Sequence, residues 1–241
     1  MNDFAAAPDA LAAEAASAPH AIILAAGAAS RFGSPKQAAT LQGEPLLLRA
    51  VARAAAVTGN AVSVVLGAHA ADLTPMLRHT AATVVINRDW REGIASSIRS
   101  GVMQLPGSCG VALLLLADQA AVTSADLERL LAAWRRAPGD IAAAYYSGLP
   151  GVPAIFPRAQ FGSLLALRGD QGARALLKAR VSGITRVPMP SAAIDVDTPT
   201  DLAQLAAFAS PDPALSASPV QQISAPAARL DLRLEDDPPG S

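Results

Sequence analysis

Short apolar runs alternate along the chain with segments in which apolar residues recur every three or four positions. The runs show little polar alternation, which is typical of strands covered on both faces, as in a parallel sheet flanked by helices. Six runs are predicted strands: residues 20–26, 61–67, 82–87, 111–118, 141–146 and 184–189. Seven other segments are predicted helices: residues 45–57, 70–79, 95–104, 124–136, 159–166, 171–180 and 199–209. The pattern predicts an α/β fold with a doubly wound, mostly parallel sheet and helices on both faces.

Two of the helix starts are marked by local side-chain patterns. Thr123 and Asp126 have the spacing of a capping box, in which each side chain accepts a hydrogen bond from the other residue's backbone N–H. Thr198 and Asp201 repeat this spacing, and Pro199 stands at the first helical position, where its missing N–H is not needed. These patterns predict that helices begin directly after the two threonines.

Both ends of the chain differ from the middle. Residues 1–19 are rich in alanine, and residues 210–241 hold many prolines with little apolar periodicity. Segments of this kind cannot bury enough apolar surface to offset the entropy lost on ordering, so we expect two disordered tails. The folded unit is then expected to span residues 20–209.

Composition narrows the classes of protein to which the chain can belong. About half of the residues are apolar (51%) and the net charge is −1, so no basic surface for nucleic acid is expected. The N-terminus has no basic residue before its apolar positions, and the longest apolar run, residues 111–117, is too short to cross a bilayer. The single cysteine, Cys109, excludes an intramolecular disulfide. We therefore expect a cytoplasmic protein with no membrane partner.

The loop after the first predicted strand is rich in small residues and carries two cations. Its sequence, GAASRFGSPK (residues 27–36), has the spacing of neither a dinucleotide-binding glycine motif nor a P-loop. Backbone amides at a glycine turn, together with Arg31 and Lys36, are suited to hold a triphosphate, and a solvent-exposed turn fits the pattern equally. Lysine occurs only at Lys36 and Lys178, which favours a functional role for a lysine kept in this loop.

Three acidic residues follow predicted strands at the sheet edge where doubly wound proteins bind ligands. Asp118 ends the most apolar run, where an unpartnered carboxylate would be costly to desolvate. Asp195 and Asp197 occupy alternate positions of an extended segment and are expected to share one face. Mg²⁺ binds through one or two carboxylates together with substrate phosphates, so these residues are candidate ligands. The alternative is that Asp118 is a turn or cap residue and that one of the other two caps the next helix.

A further strand end leads into the segment NRDWREGIASSIRSG (residues 87–101). Gly93, Ser96 and Ser97 stand there at the start of a predicted helix. A flexible amide and two hydroxyls near a helix N-terminus suit contacts with phosphate or ribose. An ordinary helix start rich in glycine and serine explains the same residues equally well.

Taken together, these segments resemble a known family. LAAGAASRFGSPKQ (residues 24–37) resembles the nucleotide-binding signature of the MobA-like nucleotidyltransferases. The 87–101 segment, LLLADQ, GVPAIFPRAQFGSLLALRGDQGARALL and DVDTPTDL are similar to that family's molybdenum-cofactor cytidylyltransferase branch, and the resemblance runs from about residue 20 to residue 208. The chain departs from the branch at Ala120, where proline usually follows the DQ pair, and in the segment KQAATL.

The resemblance implies transfer of a nucleotidyl group from CTP, or another NTP, to the phosphate of a molybdopterin-type acceptor, with release of pyrophosphate. It implies catalytic roles for Arg31 and Lys36, which would neutralise the leaving pyrophosphate, and for Asp118. Asp118 and Asp197, with Asp195 as a third candidate, would hold Mg²⁺. The implied nucleotide-binding residues are Leu24, Ala25, Ala26, Gly27, Arg31, Lys36, Gly67, Gly93, Ser96 and Ser97. Residues 148–158 and 168–174 would face the acceptor, although Asp170 is expected to cap the helix that follows it.

Two other functions remain open at the level of the sequence. An NAD(P)H-dependent reductase on a similar sheet is one, because relatives of this branch have been assigned such roles, although the usual glycine motif is missing. The other is a non-catalytic accessory protein that delivers cofactor to a molybdenum hydroxylase, with the C-terminal tail contacting that partner.

Overall fold

The computed structural model describes residues 18–29, 32–180 and 182–208. The predicted tails lie outside these ranges, apart from residues 18 and 19, and so does Arg31. The predictions for disorder in the tails and for a partner at the C-terminal tail therefore stay predictions.

The described residues form a seven-stranded sheet and a two-stranded ribbon, with helices between the strands. The strands are β1 His20–Ala25, β2 Thr40–Leu41, β3 Glu44–Pro45, β4 Val62–Leu66, β5 Thr83–Ile86, β6 Val111–Leu116, β7 Ile141–Tyr146, β8 Leu149–Pro157 and β9 Ile184–Pro188. The α-helices are α1 Leu46–Thr58, α2 Ala70–Leu73, α3 Ile94–Met103, α4 Ser124–Arg136, α5 Phe161–Leu165, α6 Ala173–Lys178 and α7 Pro199–Phe208. Short 3-10 helices cover Lys36–Ala38, Thr74–Leu77, Trp90–Glu92, Arg158–Gln160 and Pro190–Ala193. All six predicted strands and all seven predicted helices are present.

The sheet is mostly parallel, as predicted, in the order β5-β4-β1-β6-β8-β7-β9. β1 pairs in parallel with both β4 and β6, and β7 pairs in parallel with β9. Alternate residues of β1 face two cores: Ala21 and Ile23 pack with α1 and α4, whereas Ile22 and Leu24 pack with α3, α5 and α6. The sheet is therefore buried on both faces, which explains the lack of polar alternation in its strands.

The strand order reverses between β1 and β6. From β1 the chain continues outward to β4 and β5 on one side, and then crosses back to place β6 on the other side. In sheets of this type the ligand site lies beyond the carboxyl ends of the strands at such a reversal. A ligand site is therefore expected at the loops that follow Ala25 and Leu116.

The stretch 148–158, expected to face the acceptor, lies mainly inside the sheet. β8 runs antiparallel between β6 and β7, and all of its residues except Leu149 are buried. This strand was not predicted from the sequence because it contains prolines. Proline is excluded from regular central strands and is tolerated at bulges. The register shows such a bulge: Ala143 pairs with Ala154, whereas Ala144 pairs with Gly151, so residues 152 and 153 have no opposite partner.

Both predicted capping boxes are formed. The Thr123 side chain accepts from the Asp126 N–H at 3.2 Å, and Asp126 Oδ2 accepts from the Thr123 N–H at 2.9 Å. Asp126 Oδ2 also accepts a hydrogen bond of 2.8 Å from the hydroxyl of Ser191, a contact across 65 residues. Burial alone would raise the pKa of Asp126, but the hydrogen bonds from Thr123 and Ser191 and the nearby Arg129 outweigh it and lower that pKa.

None of the helices among the described residues is long and apolar enough to span a membrane.

We expect Asp126→Asn to lower the free energy of unfolding by roughly 1 kcal/mol near neutral pH, because it weakens a helix cap. A carboxyl whose pKa is lowered by folding stabilises the protein above its unfolded pKa of about 3.9, and this contribution is lost as the pH falls through the folded pKa. The difference between wild type and variant should therefore be constant above about pH 5 and shrink below about pH 4. Urea unfolding at several pH values measures it. Glu128→Gln, on the exposed side of the same helix, is the control, and a difference undiminished at pH 3 would contradict the assignment.

Candidate active site

A cleft of about 840 Å³ opens beyond the carboxyl ends of β1 and β6, where the strand order reverses. It is lined by Leu24, Ala25, Ala26, Gly27, Ala28, Ala29, Lys36, Gln37, Trp90, Arg91, Gly93, Ile94, Ser97, Leu116, Ala117, Asp118, Asp170 and Asp197. Nine of the candidate residues from the sequence stand in it: Leu24, Ala25, Ala26, Gly27, Lys36, Gly93, Ser97, Asp118 and Asp197. Arg31 lies outside the described residues, so its predicted role is untested.

Lys36 connects two of the candidate carboxylates at the centre of this cleft. Its Nζ donates to Asp118 Oδ2 and to Asp197 Oδ1, both at 2.7 Å. The two acids stand 82 and 161 positions further along the chain. Burial alone would lower the pKa of Lys36, but the two carboxylates outweigh that effect and raise it. Lys36 therefore stays protonated at neutral pH.

Asp118 retains an oxygen that is suited to a cation. Its Oδ1 is buried and has no hydrogen-bond partner in the described part of the chain, although its Oδ2 contacts Lys36. Hard cations such as Mg²⁺ bind carboxylate oxygens and take their remaining ligands from substrate phosphates and water. Within residues 18–29, 32–180 and 182–208, no group of three or more His, Cys, Asp or Glu is placed to hold a metal. Asp118 is therefore a candidate ligand for a divalent cation.

Asp195 does not share the cleft with Asp197, contrary to the expectation from alternate spacing. It lines a neighbouring cavity, whereas Asp197 lines the cleft. The expectation was wrong because residues 194–197 are not part of a strand, so alternation of side chains does not apply. The pKa of Asp195 is raised, first by desolvation and then by the nearby carboxylates of Asp118 and Asp197. Its role as a third metal ligand stays a prediction.

The loop after β1 is held from two sides by side chains that the sequence analysis missed. The buried Gln37 donates from Nε2 to the carbonyls of Ala25 (3.1 Å) and Gly27 (3.2 Å). His69 donates from Nε2 to the carbonyl of Ala28 at 2.9 Å. No local pattern indicates these contacts, although His69 follows β4 at the same edge of the sheet. Hydrogen bonds from Gln37 and His69, which lie outside this loop, therefore hold its backbone in place.

The opposite wall consists of the segment before α3 and the turn before α6. Gly93 has φ +116°, and an added Cβ would lie 2.4 Å from Asp170 Oδ1, so only glycine fits at this position. Both serines are buried: Ser96 donates to the Gly93 carbonyl at 2.8 Å, and Ser97, which accepts a hydrogen bond of 3.0 Å from the Asn87 side chain, also lines the cleft. Of the two predicted serines, Ser97 is the one that lines the cleft, and contact of either with a ligand stays a prediction.

Asp170 was expected to cap the helix that follows it, but it does not. The N-cap of α6 is Gly172, and no side chain caps it. Asp170 instead lines the cleft beside Gly93. The turn is held in this place by Glu92 Oε1, which accepts from the N–H of Gly169 (3.3 Å) and from Arg99 (2.9 Å).

Gly67, predicted to contact the nucleotide, packs closely against the loop after β1. It does not line the cleft, and a Cβ at this position would lie 2.7 Å from the Ala26 carbonyl oxygen and 2.7 Å from Trp90 Cβ. The absence of a side chain lets Trp90, which does line the cleft, approach the loop after β1. The predicted contact of Gly67 with the nucleotide stays a prediction.

The cleft at the reversal of strand order, the glycine-containing loop and the lysine–carboxylate cluster form one candidate site in an α/β protein. Residues 21–184 match the family model of the MobA-like NTP transferase domain, and the chain belongs to that family. The predicted family is thereby confirmed, whereas the cytidylyltransferase branch is not.

Three relatives illustrate the range of this similarity. The nicotine blue oxidoreductase of Paenarthrobacter nicotinovorans is 30% identical over 166 residues, which cover 65% of this chain and 80% of that protein. The crystal structure of the Rv0371c homolog of Mycobacterium sp. strain JC1 has a TM-score of 0.67 and 27% identity, covering 78% of this chain and 94% of that chain. The manganese complex of Rv0371c from Mycobacterium tuberculosis has a TM-score of 0.64 and 24% identity, covering 79% and 98%, respectively.

We expect Gly67→Ala to lower the free energy of unfolding by about 1–3 kcal/mol, the usual cost of overpacking. The new methyl group would lie 2.7 Å from both Ala26 and Trp90, so one of them has to move. Equilibrium unfolding in urea measures the change. Gly107→Ala is the matched control, because no atom lies within 4 Å of a Cβ there. Equal free energies of unfolding for the two variants would contradict the expectation that an added methyl group at Gly67 destabilises the protein.

Proposed function

We propose that the protein transfers a nucleotidyl group from CTP to the phosphate of a molybdopterin-type acceptor, with release of pyrophosphate and with Mg²⁺ as the metal. The observation that carries the proposal is the bridge from Lys36 to Asp118 and Asp197 in the cleft, within a chain of the MobA-like NTP transferase family. An oxygen of the acceptor phosphate attacks the α-phosphorus of the NTP. The new P–O bond forms as the bond to the β-phosphate oxygen breaks, and pyrophosphate leaves with that electron pair.

The reaction depends on positioning of the two substrates and on neutralisation of phosphate charge more than on a general base. The acceptor phosphate is already an anion, so no strong base is needed to activate it. Lys36 is protonated and has three N–H donors, of which Asp118 and Asp197 take two. The third donor is available to an oxygen of the triphosphate. Lys36 is thus suited to stabilise the negative charge that develops on the leaving pyrophosphate.

Asp118 and Asp197 are the residues that would hold the metal. The unpartnered Asp118 Oδ1 supports this assignment, and the manganese complex of the fold relative from Mycobacterium tuberculosis agrees with a divalent cation. Mg²⁺ bound there would neutralise phosphate charge and help to align the in-line attack. Asp195, which stands in the neighbouring cavity, is left out of this pair.

The remaining binding roles are divided between the two walls of the cleft. Residues 24–27 would lie along the base and ribose, and Gly93 and Ser97 would contact ribose or phosphate from the opposite wall. These assignments are supported by the position of all of these residues in the lining of the cleft. Arg31 is proposed as a second cation for the phosphates on the strength of the sequence motif alone.

A reductase is the second candidate, and one observation favours it. The relative with 30% identity is named as an oxidoreductase, and it covers much of the same chain. The loop after β1 lacks the glycine spacing by which dinucleotide-binding proteins approach a pyrophosphate. The lysine–carboxylate cluster also has no evident use in hydride transfer. We therefore rank nucleotidyl transfer first.

Lys36→Ala and Asp118→Ala are each expected to lower the turnover number by about 10²–10³-fold, comparable with the loss of one preorganised electrostatic group. Pyrophosphate release in the presence of CTP, Mg²⁺ and acceptor measures turnover, and circular dichroism checks that the variants fold. Lys178→Ala is the matched control, because it removes the other lysine, which is exposed on α6. Full turnover by the Asp118 variant would refute the metal assignment.

Binding measurements distinguish the two candidate functions. We expect calorimetry to detect CTP in the presence of Mg²⁺, weaker binding of the other three NTPs, and a strong loss of CTP affinity on adding EDTA. NADPH should show no binding under the same conditions. Binding of NADPH without binding of any NTP would reverse the ranking in favour of a reductase.

A further inference from the structure

The turn before α6 brings a carboxylate into the cleft for which the proposed reaction has no role. Asp170 is exposed, and it lines the cleft beside Gly93. Among the described residues, no hydrogen bond or ion pair engages its side chain. Within the same residues, it does not form a group of three with Asp118 and Asp197 that could hold a metal. The Asp170 carboxylate is therefore available to a ligand.

The turn that carries this carboxylate is fixed to the start of α3. The carbonyl of Gly169 accepts from the N–H of Ala95 at 3.1 Å, and the N–H of Gly169 donates to Glu92 Oε1 at 3.3 Å. Arg99 donates to the same carboxylate oxygen at 2.9 Å and to the carbonyl of Leu167 at 2.8 Å. Backbone and side-chain contacts together therefore hold the turn in place before any ligand binds.

The backbone of Gly93 gives the carboxylate its space. A Cβ at this position would lie 2.4 Å from Asp170 Oδ1 and 2.5 Å from the carbonyl oxygen of Gly169. Any side chain at Gly93 would therefore displace the turn. The oxygen of Asp170 lies where that side chain would begin, so a ligand that contacts Gly93 also meets a carboxylate.

The charge of Asp170 distinguishes between the two ligand groups considered for this wall. The proposed function leaves Gly93 and Ser97 to either ribose or phosphate. A carboxylate repels phosphate oxygens, and as an acceptor it requires hydroxyl or amino donors. The ribose of a nucleotide offers two hydroxyls, and carboxylates hold ribose hydroxyls in dinucleotide-binding proteins. This wall therefore suits the ribose, and the phosphates belong beside Lys36.

We propose that Asp170 accepts hydrogen bonds from the ribose hydroxyls of the bound nucleotide and so selects ribonucleotides over nucleotides that lack these hydroxyls. The inference rests on the proposed function in one respect, namely that the ligand is an NTP. Because all four NTPs carry the same ribose, it does not depend on the choice of CTP. Asp170 is in this sense a specificity-determining residue.

The test compares CTP with 2′,3′-dideoxy-CTP, which lacks both ribose hydroxyls. Calorimetry with the full chain and Mg²⁺ measures the affinity of each nucleotide for wild type and for Asp170→Ala. We expect wild type to prefer CTP by about 10–100-fold, the usual effect of a hydrogen bond to a charged group. In Asp170→Ala this preference should disappear, because CTP binds more weakly whereas the dideoxy nucleotide binds as before.

Two further variants separate the hydrogen bond from the effect of charge. Asp170→Asn keeps one acceptor oxygen without the charge, and it should retain part of the preference for CTP. Asp89→Ala is the matched control, because it removes an exposed carboxylate near the same wall but outside the lining of the cleft. Its preference for CTP should equal that of wild type. Circular dichroism checks that all three variants fold.

The outcomes separate this inference from the proposed function. If another NTP binds and CTP does not, the choice of CTP is wrong, and that NTP and its dideoxy form are compared instead. If no NTP binds, both proposals are overturned. If wild type binds both nucleotides equally, or Asp170→Ala weakens both by the same factor, the ribose inference alone fails. An unchanged CTP affinity with a raised KM for the acceptor would also overturn it and assign Asp170 to the acceptor.

Discussion

Two carboxylates that meet in one cleft repel each other, and in this protein the ammonium group of Lys36 lies between them. Its contacts of 2.7 Å to Asp118 and Asp197 join three segments that are far apart in the chain. The cluster combines the cation that a leaving pyrophosphate requires with the oxygens that a divalent metal requires. The proposed chemistry depends on this arrangement more than on any other feature of the molecule.

The surrounding structure fixes the backbone on which each member of the cluster stands. The buried Arg53 donates to the carbonyl of Ala120, and the N–H of Val196 donates to the carbonyl of Asp118 at 3.0 Å. Asp201, in the first turn of α7, accepts from the N–H of Asp197 at 3.1 Å. The helix cap predicted from the sequence therefore also positions a carboxylate of the site. Asp201 thus contributes both to the start of α7 and to the position of Asp197.

Much of the site was predictable because a parallel sheet brings its carboxyl strand ends to one edge. That rule was enough to select the loop after β1 and Asp118 from a single sequence. Asp197 was selected as part of a strand end, but it lies in irregular chain after β9 and a 3-10 helix. The rule failed for Asp195, where the chain is irregular and side-chain alternation no longer holds. The central strand β8 was not predicted, because its bulge, which contains Pro153, interrupts the sequence pattern of a strand.

By itself, the sequence determined the order of six of the strands and of the seven α-helices, the two capping boxes and the choice of Lys36 and Asp118, because these depend on periodicity, short spacings and residue type. Only the tertiary structure decided which carboxylates share a cleft, that Gly67 packs against the loop after β1, and that Gln37 and His69 hold this loop. The physical reason is that each of these roles is a contact or a hydrogen bond formed in the folded chain. His69 and Ala28, for example, are separated by 41 positions, and no local pattern links them.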